Sequence, residues 1–228
     1  MIHIQHKQIG TGALISGTFE ELGRIKREVA LYLLGFFLLA VAANFVPYGI
    51  DWAWFPAFLA YFGAQYYLYR TMLERGGETV DPRFKVFSFF FMAALLSIPL
   101  YFGFSLFVIP GLLLASKWIM APAFLVGDEV NMFEALGESW RKSETNLVAI
   151  MLAFTVMCII WLAVVSIGVG VSAGLEGMLA ETGYQTSQAA LEFMWPFFHA
   201  LPLMLMGLSV TAYRALNHSE SDLVSVFE

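Results

Sequence analysis

Apolar residues dominate six long runs, at about 29–48, 52–73, 86–108, 111–126, 147–173 and 190–216, and polar residues gather between them. A helix needs roughly 20 residues to cross about 30 Å of hydrocarbon. Most runs meet that length, and the fourth sits at its lower end. Alternation with a period of two is absent, and lipid offers no partner to an open backbone. The pattern therefore predicts an all-α protein with six transmembrane helices rather than a barrel. "VPYGID" at 46–51 is a short connection between the first two spans. Pro110-Gly111 interrupts the run from 86 to 126. Proline removes an amide donor and glycine tolerates a turn, so a hairpin is expected there. One long kinked helix is the alternative, but the run exceeds a single crossing.

The polar positions orient these spans. Lys7, Arg24, Lys26 and Arg27 precede the first span, and Arg70, Arg75, Arg83 and Lys85 lie around the second connection. Arg141 and Lys142 occupy the fourth connection, and Arg214 closes the last span. On a six-span plan all of these share one side, while the opposite loops hold Asp51, Glu176 and Glu181. The positive-inside rule then places both termini in the cytoplasm. Of the twelve Lys and Arg, Lys117 alone breaks the rule. The plan is a single membrane domain over 1–228. An amphipathic cytoplasmic segment covers 1–28, four spans lie in 29–126, a second cytoplasmic amphipathic helix covers 127–146, two spans lie in 147–216, and a tail covers 217–228. The first residues hold no apolar core of a cleavable leader, so the first span is expected to act as a signal anchor.

Composition agrees with the pattern. The chain is 59% hydrophobic and 13% charged, against about 25% charged in ordinary soluble domains. Its mean hydropathy is +0.72. A soluble core of this length could not hide so much apolar surface, which leaves an integral membrane protein. The net charge of −6 comes with no basic patch, so no nucleic-acid partner is indicated. Cys158 is the only cysteine, which excludes a disulfide within the chain.

A short motif occurs twice. "TFEELGR" at 18–24 and "MFEALGE" at 132–138 share F-E-x-L-G, each just before a span leaving the cytoplasm. The matching span pairs end in Tyr-Arg, at Tyr69-Arg70 and Tyr213-Arg214. A parallel repeat of spans 1–2 in spans 5–6, with the hairpin of spans 3–4 between, would explain both. Each motif lies on an amphipathic helix. In the first, Ile15, Phe19, Leu22 and Ile25 form the apolar stripe, with Arg24 and Arg27 nearby. In the second, Asn131 caps the helix with Glu134 three residues on. Phe133, Leu136 and Trp140 share a face, flanked by Arg141 and Lys142. These helices are candidate surfaces for anionic lipid or a partner, or plain connectors on the membrane surface.

Catalytic signals are weak. "GVSAG" at 170–174 matches G-x-S-x-G, but it sits in an apolar helix where Ser166, Gly170 and Gly174 make a small-residue packing stripe. His3 and His6 have no further ligands near them in sequence. No cofactor or metal motif is present. Lys117 is the sharper case, because a charge near the bilayer centre costs about 2.5–3.5 kcal/mol. Snorkelling, a polar partner or loss of the proton would relieve that cost. Asn44, Ser166, Glu192 and His199 fall in outer halves of other spans and could surround Lys117 in a polar cavity.

Residues 110–146 read "PGLLLASKWIMAPAFLVGDEVNMFEALGESWRKSETN". Pro110-Gly111, Lys117-Trp118, Pro122, Asp128-Glu129, Glu134-Ala135-Leu136, Ser139-Trp140 and Asn146 form a pattern. It resembles the membrane domain associated with glycerophosphoryl diester phosphodiesterases and the related YciC-like bacterial membrane proteins. The resemblance implies an all-helical protein of the bacterial inner membrane in which a basic residue at Lys117 belongs to the fold. It does not imply phosphodiesterase activity, which in fused proteins belongs to a separate soluble barrel.

The expected function is a non-catalytic one: organising or regulating membrane lipid or a partner membrane complex, with lipid, a membrane-protein partner or a second copy as the binding partner. A transporter or channel for a lipid-like or small anionic solute, built on Lys117, is the alternative. A membrane-embedded enzyme is the third class, and the residues offer it least.

Overall fold

A computed structural model of the chain describes residues 8–43, 54–180 and 197–224. The loop at 46–51, His3, His6, Asn44, Asp51, Glu181 and Glu192 lie outside the described residues. The described residues form nine α-helices and no strand. They are α1 (Thr11–Arg24), α2 (Lys26–Ala43), α3 (Trp54–Arg75), α4 (Val86–Leu106) and α5 (Val108–Trp118). There follow α6 (Ala121–Gly127), α7 (Met132–Ser143), a 3-10 turn (Glu144–Asn146), α8 (Leu147–Ala180) and α9 (Ala200–Val224).

Three stretches among the described residues are long and apolar enough to cross a membrane: Val86–Leu106, Val108–Gly127 and Met132–Gly174. Large apolar side chains also stay outside the packed core. On α4, Phe87, Phe91, Leu95, Ile98 and Phe102 are all exposed and recur every three or four residues, which is one helical face. Val148, Leu152, Ile159 and Leu162 are likewise exposed on one face of α8. A soluble monomer rarely exposes such stripes, so these are the marks of a membrane protein. The described parts of α2 and α9 begin or end in charged residues, and α3 ends in Arg70, Glu74 and Arg75.

The expected hairpin forms, with its turn three residues before the expected place. Helix α4 ends at Leu106, and Phe107 is extended at φ −155°, ψ 136°. Pro110 then lies in the first turn of α5, where its missing amide costs nothing. Gly111 serves close packing instead: a Cβ on Gly103 would stand 2.9 Å from the Gly111 Cα. Residues eight apart in one straight helix would be about 12 Å apart, so the chain has doubled back. The stretch Val108–Gly127 is itself divided. Pro122 enters the first turn of α6 and cannot bond back to the Trp118 carbonyl, so the helix breaks at Ile119–Met120.

The short helix α6 lies at the centre of the core. Ala121, Ala123, Phe124, Leu125 and Val126 are at most 1% exposed, and α3, α7 and α9 pack around them. Helix α1 packs chiefly on α9. A Cβ on Gly17 would meet Thr211 Cγ2 at 2.4 Å, and one on Gly207 would meet the Thr18 carbonyl oxygen at 2.9 Å. That close approach corrects the expected stripe of α1. Leu14, Thr18, Glu21 and Ile25 are buried, whereas Phe19 is 45% exposed. Gly17 and Thr18 let α1 seat closely against α9, and Leu14, Glu21 and Ile25 are buried on the face that this contact sets.

Helix α7 behaves likewise. Its buried residues are Ala135, Ser139 and Ser143, four apart. Phe133 is exposed, Leu136 half-buried and Trp140 partly exposed, so the expected apolar face is not the buried one. The capping box forms as expected: Asn131 Oδ1 accepts from the Phe133 and Glu134 amides at 2.9 and 3.0 Å, and Glu134 Oε2 accepts from the Asn131 amide at 2.8 Å. Equivalent positions of the two F-E-x-L-G motifs have matching exposure. Phe19 and Phe133 are exposed, Glu21 and Ala135 buried, and Leu22 and Leu136 half-buried.

Candidate functional site

Lys117 points at α7. Helix α7 leaves Asn131 and packs back along α6 and α5, a path of about 18 Å for its twelve residues at about 1.5 Å each. Trp140 and the following 3-10 turn thereby reach Lys117. The ammonium donates to the Trp140 carbonyl at 3.3 Å, lies 5.1 Å from the centre of the Trp140 ring, and pairs with Glu144 Oε1 at 3.6 Å. Ser139 Oγ donates to the Lys117 carbonyl at 2.8 Å, and the Trp118 and Trp140 rings pack 5.6 Å apart. A buried charge thus has an acceptor, a counter-charge and a π face, which together offset its desolvation.

The residues proposed to surround Lys117 are placed elsewhere or lie outside the described residues. Asn44 and Glu192 are among the latter. Ser166 is exposed, and its hydroxyl donates to the Leu162 carbonyl at 2.7 Å. His199 stands among aromatic rings, 4.5 Å from Phe36, 5.5 Å from Tyr61 and 5.9 Å from Tyr32. The described polar contacts of Lys117 come from Ser139, Trp140 and Glu144, and none from His199 or Ser166.

Most other basic residues join a chain of polar contacts that ties helix ends together. Arg214 on α9 donates to Glu21 on α1, to the Met72 carbonyl at 2.6 Å, and faces Glu78 at 3.5 Å. Arg24 shares Glu21 at 2.6 Å. Arg214 occupies the space beside Gly76, where a Cβ would collide with its guanidinium. Arg75 donates to Glu28 and to the Arg24 carbonyl, joining the end of α3 to the α1–α2 joint. Lys142 donates to Asn217, and Arg141 pairs with Glu138 at 2.6 Å on the exposed side of α7.

Lys85 caps α6. Its ammonium donates to the carbonyls of Leu125, Asp128 and Val130 at 3.3, 2.8 and 2.9 Å, and pairs with Asp81 Oδ2 at 2.6 Å. The last carbonyls of a helix lack internal partners and carry partial negative charge, so a cation belongs there. Lys85 and the Arg83 amide hold the Asp81 carboxyl down to about 2. Tyr213 donates to Asp128 Oδ1 at 2.8 Å. Burial pushes the Asp128 carboxyl above its ordinary range, and the Tyr213 hydrogen bond works against that.

Sequence reasoning missed Glu21 and Asp81 as anchors. The signal available for Glu21 was its place, four residues before Ile25 and three after Thr18. The two Tyr-Arg pairs do different work: Arg214 ties α9 to α1, whereas Arg70 makes an exposed pair with Glu74 at 2.7 Å.

A groove of about 630 Å³ runs between α2 and α3. Tyr32 and Phe36 line it and also pack against His199. Among the described residues, no group of three or more His, Cys, Asp or Glu is placed to hold a metal ion. No protein-family model matches the chain, and no curated protein or solved structure matches it.

Proposed function

We propose that this chain is a six-span protein of the bacterial inner membrane, with both termini in the cytoplasm, that organises membrane lipid or a partner membrane complex without catalysing a reaction. The observation that carries this reading is the division of labour among its side chains. The enclosed cations Lys85, Lys117 and Arg214 are engaged in ties between elements, while Phe19 and Phe133 on the two amphipathic helices stay exposed. Bulky apolar residues on such helices suit the boundary between headgroups and acyl chains. The resemblance of residues 110–146 to the membrane domain of the phosphodiesterase-associated and YciC-like proteins supports the same placement. The alternative reading as a transporter needs Lys117 to meet solute, and its ammonium is instead satisfied by α7.

The test is recovery of lipid and protein with the chain in mild detergent. Phe133→Ala with Trp140→Ala should lower the amount of native lipid or partner that co-purifies, while the fold persists. Unchanged recovery would count against the reading, and solute flux in proteoliposomes that Lys117→Met abolishes would replace it with transport.

A further inference from the structure

The α2–α3 groove has the shape and charge of a phospholipid site. On α2 its lining follows one line: Arg27, Leu31, Gly35 and Leu39, four residues apart. Ala60 and Ala64 line the α3 side. Gly35 and the two alanines hollow out the groove, and a Cβ on Gly35 would meet nothing within 4 Å. From Arg27 to Leu39 the line is about 18 Å long at about 1.5 Å per residue. One leaflet of a bilayer with a hydrocarbon core of about 30 Å is about 15 Å deep. The groove therefore has the length of a single acyl chain lying beside α2.

The charge sits at one end. Arg27 and Glu28 line the mouth, and Lys26 precedes them in the chain. Neither cation takes part in a salt bridge or side-chain hydrogen bond among the described residues, and both are exposed. The neighbouring Glu28 cannot neutralise them, because Arg75 holds it. The mouth thus presents Arg27 beside the Glu28–Arg75 pair where a headgroup would stand, and the groove beyond presents mostly apolar side chains.

We propose that the α2–α3 groove binds one anionic glycerophospholipid from the leaflet on the Arg27 side, its phosphate on Arg27 and an acyl chain along Leu31, Gly35 and Leu39. This rests on the reading of the protein as a lipid-organising membrane component and names a site for it. Tyr32 and Phe36 form the inner wall, so the lipid packs against the same aromatic cluster that holds His199.

The experiment is native mass spectrometry of the full chain in detergent, titrated with phosphatidylglycerol or phosphatidylcholine carrying the same acyl chains. The first phosphatidylglycerol should bind more tightly than the first phosphatidylcholine. Arg27→Gln should weaken phosphatidylglycerol about fivefold, the worth of one basic residue at a membrane surface, and phosphatidylcholine by less, because its choline already offsets the phosphate charge. Gly35→Phe fills open space, so the fold should hold while the first binding event is lost for both lipids. Equal affinity for the two lipids in the native chain, or unchanged phosphatidylglycerol binding in both variants, overturns the proposal. Phe133→Ala with Trp140→Ala removes the α7 surface and should lower the later, weaker phosphatidylglycerol binding, while the first and tightest event, assigned to the groove, keeps its native affinity. Loss of that first event in this variant alone assigns the lipid to α7 and removes the groove, while leaving the broader lipid-organising reading in place.

Discussion

Arg214 on α9 meets Glu21 on α1 across 193 positions of sequence, and both side chains are almost fully enclosed. Breaking one partner of a buried pair leaves an uncompensated charge, at a cost of about 3–5 kcal/mol. Arg214 keeps the Met72 carbonyl and Glu78, so Glu21→Ala is expected at the lower end, about 3 kcal/mol. Unfolding in detergent would show it as a lowered midpoint. Gly76→Ala should act on the same tie by displacing the guanidinium. Its effect combined with Glu21→Ala should fall short of the sum, as coupled sites do.

Lys117→Met should change stability by about 1 kcal/mol or less, because the counter-charge it leaves, Glu144, is largely exposed and stays solvated. Ser139→Ala should cost about 1 kcal/mol, since it removes the donor to the Lys117 carbonyl. Glu144→Gln should be nearly silent, because Glu144 is largely exposed. A Lys117→Met variant that unfolds outright would contradict this account of the tether.

Asn131→Ala should destabilise the protein by about 1 kcal/mol through loss of the α7 cap. Glu134→Ala removes the reciprocal half of the box and should cost less. The order of the two midpoints checks the geometry, and a silent Asn131→Ala would show that α7 is held by packing alone.

Acid should loosen the Asp81–Lys85 cap. The Asp81 carboxyl is depressed to about 2, first by Lys85 and then by the Arg83 amide. A carboxylate with a depressed folded value stabilises the fold above its unfolded value of about 3.9, and that contribution fades as pH falls towards 2. The midpoint of thermal unfolding should therefore drop between about pH 4 and 2. Asp81→Asn should lower the midpoint at neutral pH and flatten that dependence. Parallel curves for the two proteins would remove Asp81 from the explanation.

Much of the architecture was legible along the chain because its causes are local or compositional. Runs of apolar residues demand helix in lipid, whatever they pack against. Asn131 and Glu134 meet within one turn, so the cap could be read from spacing alone. Pro110-Gly111 announced a hairpin, although the turn settled at Phe107 because proline suits the first turn of a helix and Gly111 suits close contact with α4.

The inner faces of α1 and α7 could not be read in that way. Apolar size pointed to Phe19, Phe133 and Trp140, but how near another helix may come is a property of two surfaces together. Gly17 against Thr211, and Gly207 against Thr18, let α1 and α9 approach closely, and that contact turns Phe19 outward. The same dependence governs Lys117. Its sequence neighbours mark it only as a costly charge in an apolar run. Its partners, the Trp140 carbonyl and Glu144, come from a helix that turns back after Asp128. Composition and short-range spacing establish a helical membrane protein with a capped α7. Burial, charge pairing and the mouth of the α2–α3 groove depend on which distant segments come within a few ångströms of one another, and only the folded chain brings them there.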